Sequence, residues 1–203
     1  MMHFRGLALL AVAVGISACQ SSERARIANP NTSYLPAAGP LASTQGSGEE
    51  YDPISYWDGD GVQGPPSVVI YLNEQRAYFY KGDQLVGVSQ VSAGREGYDT
   101  PSGTYKIVQK DKNHASNLYG DYVDATGNIV QKDVALNKDP KPPGAIFRGA
   151  PMPFFIRVTG GVGMHKGYLP GYPASHGCIR MPGRMAEIFF NNVDVGTPVT
   201  IVR

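Results

Sequence analysis

The feature that most restricts the fold is a run of short β-type segments that begins near residue 67. Residues 68–72, 77–80 and 85–92 are rich in β-branched and aromatic side chains, and short turn sequences separate them. Residues 104–110 alternate from one position to the next, as expected for an amphipathic strand. Strands this short and this closely spaced predict a fold made mostly of β-sheet.

The rest of the folded part adds two strands and one helix to this prediction. Residues 153–159 and 197–202 have the composition of strands, whereas residues 182–193 carry apolar side chains at helical spacing after Pro182. The low helix content predicts a β-sandwich or barrel-like domain over residues 67–203, with one C-terminal helix packed on it. A segment of that length can enclose a single hydrophobic core.

Residues 111–151 interrupt this pattern. They are rich in turn residues, including Asp-Pro-Lys-Pro-Pro-Gly at 139–144, and only residues 123–130 suggest a small hairpin. Long segments of this composition inside a compact domain are often lids or binding loops. The sequence therefore predicts a lid-like insertion that faces the substrate, with an insertion of no function as the alternative.

The N-terminus has the features of an export signal. Arg5 precedes an apolar stretch at residues 7–16, which is too short to cross a bilayer as a helix, and small residues lead to Cys19. This order resembles the lipobox of bacterial lipoproteins, in which cleavage leaves the cysteine as a lipid-carrying N-terminus. We therefore expect a lipoprotein signal peptide at residues 1–18 and lipidation of Cys19; an ordinary signal peptide or a buried core segment is the alternative. By the same resemblance, Gln20 favours a periplasmic protein anchored in the outer membrane.

Residues 19–66 are expected to form the lipidated N-terminus and a flexible tether. Pro, Gly, Ser and Asn punctuate this segment, and its apolar side chains are too sparse to offset the entropy of ordering it. The exception is a cluster of Tyr51, Ile54, Tyr56 and Trp57, which could dock on the folded domain.

The cysteine content indicates a reactive thiol. The chain has two cysteines, Cys19 and Cys178, and an exported protein could pair them in a disulfide. If Cys19 carries a lipid, however, Cys178 stays unpaired in an oxidising compartment, and catalysis is the main reason to keep it there. An ordinary thiol is only roughly 3% ionised at pH 7, so a catalytic Cys178 needs a base beside it. His165 lies 13 positions upstream, across a loop rich in Gly and Pro that can fold back and bring the two together.

Several motifs resemble the catalytic domain of the L,D-transpeptidase family (YkuD type). They are Ser-His-Gly-Cys-Ile-Arg-Met at 175–181, His165 followed by Gly167, Thr-Pro-Ser-Gly-Thr-Tyr at 100–105 and Gly-Thr-Pro-Val at 196–199. The first of these is highly specific, and the resemblance covers residues 67–203. One difference is His-Lys-Gly at 165–167, where many members have His-Gly-Thr, and another is the short spacing between the two histidines of this stretch.

The resemblance implies a transferase of the bacterial cell wall. Cys178 would attack the carbonyl of the third residue of a peptidoglycan stem tetrapeptide and expel the terminal D-alanine, with His165 as the general base. An amine of a neighbouring stem, or of a lipoprotein side chain, would then take the acyl group. Backbone N–H groups of Gly177 and Cys178 would form the oxyanion hole, and the Lys166 carbonyl would orient the base. No cofactor is implied, and a carbapenem would acylate the same cysteine.

Other candidate residues have both a functional and a structural interpretation. Arg180 could bind the carboxylate of the diamino acid in the substrate or form a structural ion pair. His176 could donate to the thiolate or the substrate, but we favour the interpretation that His176 and Ser175 shape the turn. Tyr168 and Tyr172 are expected to line the substrate cleft or, alternatively, to cover the core.

Other functional classes compete with this prediction. Hydrolysis of the acyl-enzyme would make the protein an L,D-carboxypeptidase or amide hydrolase of the same fold, and an inactive relative could simply bind peptidoglycan. A zinc site of His114, His165, His176 and Cys178 is conceivable, but the sequence contains no paired metal-ligand motif, so we expect no metal. A net charge of +1 gives no basic excess for nucleic acid. The expected partners are peptidoglycan stem peptides, a possible lipoprotein acceptor and, through the N-terminal lipid, a membrane.

Overall fold

The computed structural model describes residues 52–203, so the expected signal peptide, Cys19 and most of the tether lie outside the described residues. In chain order the described elements are β1 (Tyr56–Trp57), β2 (Pro66–Tyr71), β3 (Arg76–Lys81), β4 (Gln84–Gln90), β5 (Gly103–Lys106), β6 (Gln109–Asp111), β7 (Ala115–Val123), β8 (Ile129–Ala135), β9 (Ile146–Pro151), β10 (Phe155–Thr159), β11 (Val162–Lys166), β12 (Ile179–Met181), α1 (Gly183–Asn192) and β13 (Pro198–Val202). The predicted mostly β fold with one C-terminal helix is confirmed. Among these residues, no helix is long and apolar enough to cross a bilayer.

The strands of residues 52–203 form three sheets. The largest has the order β1-β4-β3-β2-β13-β5, the second has the order β12-β11-β10-β6, and the third has the order β8-β7-β9. Neighbouring strands β2, β3 and β4 pair antiparallel through short turns, as their spacing in the sequence predicts. The final strand β13 returns to lie parallel to β2 in the middle of the large sheet.

One hydrophobic core joins the first two sheets and the helix. It includes Ile70 and Phe79 from the large sheet, Ile156 and Met164 from the second sheet, and Phe189 from α1, all fully buried. The alternation of buried and exposed positions along β2 and β3 directs every second side chain into this core. The core therefore fixes β11 in place from one side and leaves its other face to the functional site.

The strand predicted at residues 104–110 is two strands. Strand β5 pairs with β13 in the large sheet, and β6 pairs with β10 in the second sheet. The chain crosses between the sheets at Ile107, which is 1% exposed, and Val108, which is 57% exposed. Continuous alternation in the sequence does not reveal such a crossing, because both halves are extended and amphipathic.

The folded domain begins before residue 67. Tyr56 and Trp57 form β1 at the edge of the large sheet, and the Trp57 ring is 6% exposed, with its centroid 5.1 Å from that of Phe79. The docking suggested for the aromatic cluster is thus observed for these two residues. The C-terminal part of the predicted tether belongs to the sandwich.

The interpretation of residues 111–151 as mostly turns is wrong. Most of this segment forms the inserted sheet, by which we mean β7, β8 and β9, and it has a small core of Tyr122, Val134 and Ala145. The hairpin suggested at residues 123–130 exists as the end of a longer one, in which the Asp124 carboxylate accepts several hydrogen bonds from the turn. Register shifts interrupt both of its strand pairings, which is why its periodicity is weak in the sequence.

Candidate active site

Strand pairing brings the two principal candidates into one region. Strands β11 and β12 are parallel neighbours, with His165 opposite Arg180 and Met164 opposite Ile179. Because Met164 and Ile179 are fully buried in the core, His165 and Arg180 project from the other face of the sheet. Cys178 comes immediately before β12, two positions from Arg180, and its thiol interacts electrostatically with that guanidinium. The loop between the strands folds back as the sequence predicts.

His165 is held by a main-chain acceptor. Its Nδ1 lies 2.7 Å from the carbonyl oxygen of Lys166, and since a carbonyl can only accept, Nδ1 carries the proton. The other ring nitrogen, Nε2, is therefore unprotonated and able to act as a base. The side chain is 7% exposed, and burial is the main cause that lowers its pKa to about 4.

Cys178 is a neutral thiol in this state. Its Sγ donates to the carbonyl oxygen of Gly161 at 3.5 Å, and burial raises the pKa of the thiol. Within the described residues it makes no hydrogen bond to His165. The sequence analysis expects the imidazole to ionise the thiol; in the free protein both groups are instead neutral at pH 7, because each is desolvated.

Hydroxyl groups fix the turn that carries Cys178. The Ser175 Oγ donates to the carbonyl oxygen of Cys178 and accepts the N–H of Gly177 at 3.0 Å. The Thr100 Oγ1 donates to the Gly177 carbonyl oxygen at 2.8 Å and accepts the N–H of Gly94. Gly177 has a φ of 109°, which a residue with a Cβ rarely adopts, so glycine is needed here for the turn itself.

This turn changes one expectation about the oxyanion hole. The N–H of Gly177 is buried and already bonded to Ser175, so in this state it is not available to a substrate oxygen. Of the two predicted donors, the N–H of Cys178 remains the candidate. Ser175 is 2% exposed, and its hydroxyl is bonded within the turn, so it cannot contact a substrate without rearrangement.

His176 lies in an aromatic and cationic enclosure. Its ring stacks on Tyr119 with a centroid distance of 4.4 Å and meets the edge of Tyr98 at 4.7 Å. Arg95 Nη2 is 2.8 Å from Nε2, and because a guanidinium only donates, Nε2 accepts and His176 is neutral. Burial, followed by the charge of Arg95, lowers the pKa of His176. These contacts agree with the local, turn-shaping interpretation.

The remaining candidates lie at the surface of the site. Tyr168 and Tyr172, in the loop between β11 and β12, are 69% and 62% exposed, so neither covers the core. Arg180 is partly buried, and no carboxylate of the described residues forms an ion pair with it. The structural ion pair considered for Arg180 is therefore absent from the part of the chain that the structure describes.

The four side chains considered for zinc are not assembled around one point. His114 stacks on Phe155 with a centroid distance of 4.2 Å and contacts Asp111, while His176 is bonded to Arg95. Across residues 52–203, no group of three or more His, Cys, Asp or Glu side chains is placed to hold a metal ion.

Sequence reasoning missed three residues that contact the candidate site. Arg95 and Tyr98 lie in the loop between β4 and β5, and Tyr119 lies on β7 of the inserted sheet. All three surround His176. Tyr98 and Arg95 come just before the Thr-Pro-Ser-Gly motif at 100–103, and that proximity is the only signal in the sequence that points to them.

Comparison with known proteins identifies the family. The family described as L,D-transpeptidase catalytic domain, YkuD, matches residues 65–201. The chain belongs to this family of L,D-transpeptidases.

Similar proteins agree with this assignment. The Probable L,D-transpeptidase 3 of Mycobacterium tuberculosis is 28% identical over 145 residues, which is 70% of this chain and 47% of that protein, so the chain spans about half of this relative. An L,D-transpeptidase from Mycobacterium smegmatis has a TM-score of 0.51 at 18% identity, over 68% of this chain and 59% of that one. A Cys-to-Ser variant of the Enterococcus faecium enzyme has a TM-score of 0.51 at 20% identity, over 68% and 50%. The two structures support the fold.

Proposed function

We propose that this protein is a cysteine-dependent L,D-transpeptidase that acts on peptidoglycan stem tetrapeptides. The observation that carries the proposal is the pairing of β11 with β12, which brings an imidazole with an unprotonated Nε2 to the same sheet face as the Cys178 thiol. The family assignment supports the reaction class, and the chemistry follows from these two side chains.

The first step needs a rotation of the thiol. When the Cys178 side chain turns from the Gly161 carbonyl oxygen towards His165, the thiol proton passes to Nε2 and the sulfur attacks the carbonyl carbon of the third stem residue. The imidazolium then gives this proton to the nitrogen of the departing D-alanine as the peptide bond breaks. The product is a thioester on Cys178, with His165 neutral again.

Burial and nearby charges act on this transfer in different ways. Burial raises the pKa of the Cys178 thiol, and the charges of Arg157 and Arg180 partly offset that increase, whereas burial and the charge of Arg180 both lower the pKa of His165. The N–H of Cys178 is the candidate donor to the oxygen that becomes negative when the carbonyl is attacked. A neutral resting pair also keeps the thiol poorly reactive until a substrate arrives, which suits an oxidising compartment.

An amine completes the reaction. An amino group of a neighbouring stem, or of a lipoprotein side chain, attacks the thioester and loses a proton to His165. The new amide bond forms as the C–S bond breaks, and the imidazolium returns the proton to the Cys178 sulfur. We expect this to occur in the periplasm, with the protein anchored to the outer membrane by a lipid on Cys19. Export, anchoring and the flexible tether rest on the N-terminal sequence alone.

The nucleophile is tested with a Cys178→Ala variant. Wild-type protein incubated with a defined tetrapeptide donor and an amine acceptor should release D-alanine and form the cross-linked product, as followed by mass spectrometry. The variant should fold normally, because Cys178 is only partly buried, and should form neither product. Release of D-alanine by the variant would overturn the assignment.

Carbapenem acylation gives an independent test of the same thiol. A similar L,D-transpeptidase, with a TM-score of 0.51 to this chain, is described in complex with imipenem. We expect imipenem to add its mass once to the wild type and not to Cys178→Ala. An unmodified wild-type mass after prolonged incubation would count against an acylable Cys178.

A further inference from the structure

Two arginine side chains beside the Cys178 turn have no carboxylate partner within the described residues. Elsewhere in this part of the chain, Arg148 contacts Asp121 at 3.6 Å and Arg203 contacts Asp99 at 3.1 Å. Neither Arg95 nor Arg180 has such a contact, although both are partly buried. Partly desolvated guanidinium groups without a counter-ion favour the binding of an anion.

Three contacts fix the position of Arg95. Its Nη2 donates to His176 Nε2 at 2.8 Å, and its guanidinium covers the Tyr98 ring with its central carbon 4.5 Å from the centroid. Its backbone N–H donates to the Ser175 carbonyl oxygen at 3.1 Å, which ties its loop to the Cys178 turn. One N–H of the guanidinium is used by His176, so the remaining donors of the fork are available to a ligand.

Arg180 is fixed next to the same loop. Its N–H and carbonyl form a reciprocal pair with Ser92 at 3.0 and 2.9 Å, three residues before Arg95. Its aliphatic stem lies against Gly167, where an added Cβ would come within 2.9 Å of the arginine Cγ. Burial, followed by the charge of Arg95, lowers the Arg180 pKa, as expected for two cations on neighbouring segments.

Two other cations of this region bind groups outside the Cys178 turn. Arg157 donates to the Gln109 side chain at 2.8 Å and to the Gly160 carbonyl oxygen at 2.8 Å. Lys138 donates to the Tyr98 hydroxyl at 3.2 Å. Arg95 and Arg180 differ from these two cations because their backbones are hydrogen-bonded to Ser175 and Ser92, at or beside the Cys178 turn.

We propose that Arg95 acts with Arg180 to bind the side-chain carboxylate of the diamino acid in the donor stem peptide, and that Arg95 thereby determines specificity for donors in which this group is not amidated. The inference rests on the proposed function and adds the residue that selects the substrate. A carboxylate can accept from two guanidinium forks at once, whereas a carboxamide brings an N–H₂ group towards two cations and loses the charge. The neutral Nε2 of His176 accepts from Arg95 without neutralising it.

The test compares matched donors on matched variants. Tetrapeptides with the side-chain carboxylate free or amidated are assayed with wild type, Arg95→Met, Arg95→Lys and Arg157→Met, and kcat and KM are measured separately. The wild type should prefer the free acid by roughly 10- to 100-fold in kcat/KM, mostly through KM. Arg95→Met should bring this ratio close to one, and Arg95→Lys should give an intermediate ratio.

Arg157→Met is the charge control. It removes a positive charge that also influences the Cys178 thiol, but from a side chain that is bonded to Gln109 and to the Gly160 carbonyl oxygen, so the preference for the free acid should persist. Alkylation of Cys178 by neutral iodoacetamide reports whether each variant keeps an intact thiol. Thermal unfolding reports whether it is folded.

Each result decides between the alternatives. A wild-type preference that survives in Arg95→Met would overturn the inference while leaving the proposed function intact. If Arg95→Met lowers kcat/KM equally for both donors and slows alkylation of Cys178, Arg95 has only a structural role through His176. This result would also overturn the inference. If the wild type processes neither donor, the proposed function itself fails. A further donor carries an amide in place of its C-terminal carboxylate. The effect of this amide on kcat/KM should be the same in Arg95→Met as in the wild type. If the effect disappears in Arg95→Met, Arg95 binds the C-terminal carboxylate and the assignment is wrong.

Discussion

The sandwich and the inserted sheet differ in how they are stabilised. The sandwich core contains aromatic side chains in contact with one another, such as Phe79 with its ring centroid 5.0 Å from that of Phe189. The inserted sheet has three fully or nearly buried core side chains, and large apolar residues such as Ile129, Val130 and Ile146 remain exposed at one end of it. The sandwich can therefore fold by its own burial, whereas the inserted sheet depends more on its attachment.

The two regions meet at the candidate site. Tyr119 of the inserted sheet stacks on His176, and Lys138, which follows β8, reaches the hydroxyl of Tyr98. The sandwich supplies Cys178 and His165, while the inserted sheet contacts His176, which lies in the turn that leads to Cys178. These contacts predict that the sandwich determines stability whereas the inserted sheet influences activity, and three measurements can test this difference.

The largest expected effect comes from the sandwich core. Phe79→Ala should lower the free energy of unfolding by about 3–5 kcal/mol, because it leaves a cavity among Trp57 and Phe189. Tyr122→Ala in the inserted sheet should lower the free energy of unfolding by clearly less. It should speed hydrogen exchange mainly in β7 to β9. Urea titration and hydrogen exchange measure the two quantities. Equal losses, with uniform exchange, would mean that the two regions unfold as one unit.

Acidification should destabilise the folded protein through His165, which belongs to the sandwich. The folded protein keeps His165 neutral, with a pKa of about 4 against an ordinary 6.5, so below pH 6.5 the unfolded chain binds the proton more readily. The free energy of unfolding should therefore fall between about pH 6.5 and 4, by at most about 3 kcal/mol from this group. His165→Gln keeps a donor for the Lys166 carbonyl and removes the titration, so its stability should change less over this range. Identical pH profiles for the two proteins would contradict the burial of a neutral imidazole.

The smallest effect should come from the contact between the regions. Tyr119→Ala removes an aromatic stack worth about 0.5–1.5 kcal/mol, which should reduce kcat/KM by roughly 2- to 10-fold with little change in unfolding. Tyr119→Phe is the matched control, since it keeps the ring and should retain nearly full activity. Full activity in the alanine variant would separate the insertion from control of the site.

Much of the sandwich is predictable from the sequence, because β2, β3 and β4 alternate strongly and are joined by recognisable turns. Strands β11 and β12 are not, since they are short and include Gly163, His165 and Arg180 rather than a β-type pattern. Their position is fixed by the core beneath them. The inserted sheet is missed because its strands carry polar residues and register shifts.

The residues of the candidate site are likewise only partly predictable from the sequence. Cys178 and His165 are found because unusual residue types lie close together in the sequence, and a lone thiol needs a base. Arg95 and Tyr119 are not found, because their relation to His176 is created by two distant segments that meet only in the fold. A single arginine or tyrosine in a loop has too many ordinary explanations to be selected beforehand.

The hydrogen bond from His165 to the Lys166 carbonyl has a consequence for which substitutions position 166 can accept. The acceptor is part of the peptide bond, so no replacement at position 166 deletes it, unlike the carboxylate partner of histidine in many hydrolases. Random change at that position can alter the exposed side chain while the tilt and tautomer of the imidazole persist. Lys166 is exposed, so its side chain can be exchanged without displacing the carbonyl oxygen that holds the imidazole.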